Sequence, residues 1–132
     1  MILLDTDILS AILRRKPAAL ERARFYLESH SRLTFSIITR YEVMRGLLAK
    51  RAEKQLAAFE LFCKASRVLP VTDPIIVKAA SIYAELYRRG ELISDADILI
   101  AATALHHGLS VTTNNEAHFR RIRDIGIENW LT

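Results

Sequence analysis

The opening Ile2-Leu3-Leu4 is an unbroken apolar run that stops abruptly at Asp5. A strand with one wet face alternates apolar and polar residues, whereas a strand covered on both faces does not. The run therefore predicts an interior strand of a sheet sandwiched between helices, with Asp5 standing where the chain leaves the core.

The rest of the chain repeats that theme. Short extended segments are expected at Leu33-Thr34-Phe35-Ser36, Arg67-Val68-Leu69-Pro70-Val71, Leu109-Ser110-Val111-Thr112 and Ile125-Gly126-Ile127. Pro70 cannot donate to a ladder, which assigns the Arg67 segment to a sheet edge or a strand end. Helical periodicity fills the intervals. A helix follows Asp7. Another starts at Pro17 and places Leu20, Ala23, Arg24 and Leu27 on one face, and a third starts at Thr39 and places Val43, Leu47 and Leu48 together. A fourth spans 52–65, and a fifth runs from Pro74 to about Arg89 with Ile75, Ala79, Ile82 and Leu86 inward and Gly90 as its stop. Ser94-Asp95-Ala96-Asp97 leads into Ile98 through Leu105, which is apolar on nearly every side and belongs in the interior, and Gly108 ends it. A short helix follows Asn114-Asn115.

Strands alternating with helices imply an α/β domain of three layers with a mainly parallel central sheet, and 1–132 reads as a single domain. Ligand sites in such sheets lie beyond the carboxyl ends of the strands. Asp5, the Ser36-to-Glu42 turn and Asn114-Asn115 all fall at that edge.

Composition narrows the function classes. With 51% hydrophobic and 26% charged residues the chain is in the globular range. The formal charge of +4 is compatible with a polyanionic partner. Cys63 is the only cysteine, which excludes an internal disulfide and a Cys-rich metal site. The N-terminus reaches a charge too early for a secretory signal, and no stretch approaches the roughly 20 apolar residues of a membrane span. A cytoplasmic protein is expected.

The carboxylates carry the chemistry. One of Asp5 and Asp7 is expected to cap the following helix, and that role is assigned to Asp7. Thr39-Arg40-Tyr41-Glu42 matches a capping box, in which Glu42 only bonds back to the Thr39 amide, yet the helix begins at the same sheet edge as Asp5. Asp97 is the most informative residue. A carboxylate entering a buried apolar helix costs several kcal/mol unless it is compensated. The helix N-terminus returns about 0.3–1 kcal/mol, whereas a divalent cation suffices. Asp95 lies on a different face from Asp97 and is assigned to capping or support. Oxygen donors without cysteine or clustered histidine point to magnesium, or manganese in its place. His106 and His107, adjacent near a helix end, read as surface residues. The chemistry that follows is metal-assisted phosphodiester hydrolysis centred on Asp5, Glu42 and Asp97, with Arg40 and Arg45 as candidates to hold a nucleic-acid backbone.

Four segments in order carry a resemblance: Leu3-Leu4-Asp5-Thr6-Asp7, Ile38 through Gly46, Asp97-Ile98-Leu99-Ile100-Ala101-Ala102, and Val111-Thr112-Thr113-Asn114-Asn115 followed by Phe119. With these spacings the chain resembles PIN-domain proteins of the VapC toxin type, the ribonuclease half of bacterial and archaeal toxin–antitoxin pairs. The resemblance implies a PIN-like parallel-sheet fold, magnesium at Asp5, Glu42 and Asp97, endonuclease activity on RNA, a homodimer and inhibition by a cognate antitoxin protein. It also marks Asn115 as standing where the family often has a fourth acid, with Asp95 and Thr113 as supporting residues. Two other readings compete. Asp5-Thr6-Asp7 after an apolar strand also looks like the nucleophile motif of haloacid-dehalogenase-like phosphatases, although Ile8-Leu9 replace the expected Gly and Thr. A noncatalytic module binding RNA or a partner is the third.

Overall fold

The structure, a computed structural model describing residues 1–132, has five short strands and seven helices. Strand β1 (Ile2–Leu4) is central, and the order across the sheet is β3-β2-β1-β4-β5, parallel throughout. Here β2 is Thr34–Ser36, β3 Arg67–Leu69, β4 Ser110–Thr112 and β5 Ile127–Glu128. As Pro70 implies, β3 lies at an edge.

Successive side chains of a strand point to opposite faces. Leu3 accordingly joins one apolar cluster with Val111, Ile75, Ile82, Ile98 and Ile100, while Ile2 and Leu4 join another with Ile8, Leu9, Phe35, Phe59 and Trp130. The sheet therefore has two cores, which explains why its central strand contains no polar residue. The first core is covered by α5 (Asp73–Arg88) and α6 (Asp95–His107), and the second by α1 (Thr6–Leu13), α2 (Pro17–Leu27) and α4 (Glu53–Lys64). Between them α3 (Ile37–Ala49) crosses the carboxyl rim, with Ile38 packed on the first core and Val43, Met44 and Leu47 on the second. The four inward residues expected on α5 are all buried. No helix is long and apolar enough to cross a membrane.

Three local expectations are corrected. The inward face of α2 is Ala19, Ala23 and Tyr26, while Arg24 and Leu27 are exposed. The Tyr26 hydroxyl accepts the Ile2 amide, an anchor that turns the helix away from its leucine stripe. Helix α3 begins at Ile37, capped by Ser36, whose hydroxyl accepts the Ile38 amide at 3.0 Å. Thr39 is thus inside the first turn and the capping box does not form. The last strand, expected over 125–127, is Ile127–Glu128, preceded by the short α7 (Glu116–Phe119).

Candidate active site

The carboxyl ends of β1, β2 and β4 meet the N-termini of α1, α3 and α6 at one rim. Asp5 leaves β1 with extended backbone and caps α1, its Oδ1 accepting the Thr6 amide at 2.8 Å. Its Oδ2 accepts the Thr113 hydroxyl at 2.7 Å, and the Asn115 amide in turn donates to Thr113 Oγ1 at 2.9 Å. Asp5 is buried. Burial, then the charge of Asp7, then that of Asp97 push its carboxyl up to about 7 against the two hydrogen bonds, which pull the other way.

Capping thus belongs to Asp5, and the assignment to Asp7 is corrected: the strand ends at Leu4, so the cap is the next residue. Asp7 sits in the first turn, where its Oδ2 accepts the Asn114 amide at 3.0 Å and its Oδ1 is buried without a partner. Burial raises its pKa, and Asp97 adds to the effect. Sequence reasoning missed Asp7 as a site residue, although its place two residues past a strand end was the available signal.

Glu42 reaches the rim from α3. Its Oε1 accepts the Thr6 hydroxyl at 2.7 Å, and the buried Thr39 hydroxyl lies 3.0 Å from that of Thr6. Its Oε2 pairs with Arg45 at 3.5 Å, and the Arg45 guanidinium lies over the Tyr41 ring. The two arginine candidates separate here. Arg45 stands beside the acids, whereas Arg40 turns to α4 and pairs with Glu60 at 2.9 Å.

Asp97 lies in the first turn of α6. The cap of that helix is Ser94, whose hydroxyl accepts the Asp97 amide at 3.2 Å. Asp95 is exposed and makes no hydrogen bond through its side chain, which corrects its assignment to capping or support. Asp97 Oδ2 is 3.1 Å from His118 Nδ1 and 3.5 Å from Asn115 Nδ2, and those two nitrogens are 2.6 Å apart. His118 was also missed. It follows Asn115 by three residues on a helical turn, a spacing that places both on one side.

The structure therefore gathers Asp5, Asp7 and Asp97 with Thr113 and Asn115, and joins Glu42 to them through Thr6. No lysine or arginine pairs with any of the three aspartates. As the side chains are arranged here, no three of the histidine, cysteine, aspartate and glutamate groups stand close enough together to hold a metal ion. Beside Glu42 opens a cleft of about 670 Å3, lined by apolar residues such as Val43, Leu47, Phe59 and Phe62, with Arg14, Arg15 and Lys50 also bordering it.

A sequence profile of the PIN domain matches residues 2–125. Among curated relatives, ribonuclease VapC1 of Methanocaldococcus jannaschii is 33% identical over 96% of this chain and 85% of its own length. The tRNA(fMet)-specific endonuclease VapC of Salmonella typhimurium is 36% identical over 97% of this chain and 96% of its own. Among solved structures, DNA-bound VapBC from Salmonella typhimurium superposes with a TM-score of 0.84 at 34% identity, covering 98% of this chain and 97% of that one. VapBC-1 from nontypeable Haemophilus influenzae gives 0.86 at 29% identity over the whole of both chains.

Proposed function

The chain belongs to the PIN-domain family, and from that premise we propose that it is a magnesium-dependent endoribonuclease of the VapC type, the toxin of a toxin–antitoxin pair. The observation that carries the reading is the trio of Asp5, Asp7 and Asp97, drawn together at the carboxyl rim with no lysine or arginine paired to any of them and only the His118 imidazole beside Asp97. Two like charges at 4 Å repel by about 4 kcal/mol at an effective dielectric of 20.

The residues fit a hard divalent ion. The donors are oxygens, one of them, Asp7 Oδ1, is buried without a partner, and burial together with the charge of Asp7 pushes the Asp5 carboxyl up to about 7. Asp5, Asp97 and Glu42 would hold the ion, and Asp7 supplies the negative charge that Asn115 does not. Bound magnesium, or manganese, acidifies and orients water and offsets charge on the phosphate. The protein's own groups set the stage. Thr113 and the Thr6 amide aim Asp5, the Thr6 hydroxyl aims Glu42, and His118 with Asn115 aims Asp97. Arg45 brings positive charge to the rim where an RNA phosphate would approach.

The phosphatase reading loses support, because Ile8-Leu9 stand where that motif expects Gly and Thr and a PIN-domain profile matches residues 2–125. The noncatalytic reading rested on the lack of a fourth acid, which Asp7 offsets. A cognate antitoxin, a homodimer and a cytoplasmic site of action complete the proposal. The apolar cleft beside Glu42 suits the antitoxin, and the exposed Ile76, Tyr83 and Tyr87 of α5 suit a second copy.

The test is incubation of the purified protein with a mixed RNA pool and with a phosphomonoester, with and without magnesium and chelator, beside Asp5→Asn and Asp97→Asn. Magnesium-dependent RNA cutting that both variants lose is expected. Turnover of the phosphomonoester alone would move the assignment to a phosphatase. Expression should arrest growth, and co-expression of the neighbouring gene product should restore it.

A further inference from the structure

At the opposite rim, where the strands begin, lies a second cavity of about 230 Å3, whose lining includes His30, Ser31, Arg32, Thr34 and Arg67. Thr34 and Arg67 are paired across the first rung of β2 and β3. No carboxylate lines the cavity, and neither arginine has an ion-pair partner anywhere in the chain.

Exposed arginines are ordinarily just solvated, but here three further facts bear on them. Arg67 is partly buried and lines the concavity. Thr34 is fully buried, and its hydroxyl has no hydrogen-bond partner. Unsatisfied buried hydroxyls are uncommon in native proteins, and each calls for an explanation. His30 is clamped, its ring stacked on Tyr26 with centroids 3.9 Å apart and its Nδ1 3.1 Å from the Tyr26 carbonyl oxygen. Since a carbonyl only accepts, Nδ1 carries a proton, and this contact together with the stacking fixes the ring at the edge of the cavity.

We propose that this cavity is a phosphate-binding site, separate from the carboxylate rim, in which Arg32 and Arg67 hold the anion above Thr34. Guanidinium groups match a phosphate geometrically through paired N–H donors, and a hydroxyl without a partner adds a further donor once an acceptor arrives. The surroundings agree with excess positive charge: His107 is held below its ordinary pKa by burial, by His106 and by Arg67.

The strands between the two rims are three residues long, about 10 Å at 3.3 Å per residue. The phosphate bound here is therefore not the one being cut. It belongs either to a distant stretch of the RNA, a source that rests on the nuclease reading, or to a small phosphorylated molecule.

The test begins without metal or RNA, so that it stands or falls independently of the nuclease assignment. The 15N-labelled full chain is titrated with inorganic phosphate, with chloride at matched ionic strength as the control. Saturable shifts of the Thr34 and Arg67 amides are expected, weakened about tenfold in Arg67→Gln by loss of a charge-assisted bond. They should be weakened less in the isosteric Thr34→Val. No saturation, or saturation indifferent to both variants, overturns the site. Cleavage kinetics then separate the sources. A raised KM at unchanged kcat in Arg67→Gln assigns the phosphate to RNA, whereas unchanged kinetics in that variant, with its phosphate binding weakened, assign it to a small anion.

Discussion

The Thr6 hydroxyl donates to Glu42 Oε1 at 2.7 Å, tying the first turn of α1 to α3 across the acid rim. Thr6 also gives its amide to Asp5, so one residue orients two of the proposed ligands. Thr6→Val keeps the shape and the amide but removes the hydroxyl. Cleavage should fall about 10- to 100-fold, as for loss of a group that orients a metal ligand. Melting should register about 1 kcal/mol, and Thr6→Ser should restore most of the rate.

His118 and Asn115 hold Asp97 from α7. In His118→Ala the carboxylate loses its nearer partner, and magnesium affinity measured by calorimetry should weaken about 10- to 100-fold. An unaltered affinity would make His118 a bystander.

The Asp5 carboxyl sits at about 7 in the folded chain against an ordinary 3.8. Between those values the folded state binds more protons than the unfolded one, so stability without metal should fall as pH rises from about 4 to 7. The shift of about three units corresponds to a loss on the order of 4 kcal/mol across that window. Asp7 acts in the same direction. Thermal melts of the metal-free protein should show the decline, Asp5→Asn should flatten it, and magnesium at pH 7.5 should raise the wild-type melting temperature more than that of the variant.

Ser94 caps α6 and Asp95 does not. Ser94→Ala should cost about 1 kcal/mol, and Asp95→Ala should stay within about 0.5 kcal/mol of the parent in denaturant melts.

The two arginines of α3 should part in the same way. Arg45→Ala, at the rim, should raise KM for RNA and flatten its salt dependence. Arg40→Ala, whose partner is Glu60, should leave cleavage unchanged and alter stability by no more than about 1 kcal/mol.

Much of this architecture was legible because burial leaves a pattern. The all-apolar Ile2-Leu3-Leu4 demanded cover on both faces and received it, and the four inward residues of α5 lay where their spacing put them. What failed was the identity of caps and anchors. Thr39 and Ser36, Asp95 and Ser94, and Asp7 and Asp5 are pairs of plausible capping residues one to three positions apart. For Asp5 and Ser36 the choice was made by where a strand ended, which is a property of the sheet rather than of the helix it precedes, whereas Ser94 caps a helix that follows α5 through a loop. Asp7 and His118 escaped for a related reason: their importance comes from neighbours about 20 to 110 residues away, Asn114 for one and Asp97 for the other.

Asp5 receives its hydrogen bond from Thr113, and β1 is completed on one side only by β4. The two partners of that bond lie 108 residues apart in sequence, so Asp5 is held in place only when β4 has docked on β1. The acid rim is thus a product of the closed sheet: whatever loosens β4 from β1 also loosens the grip on Asp5.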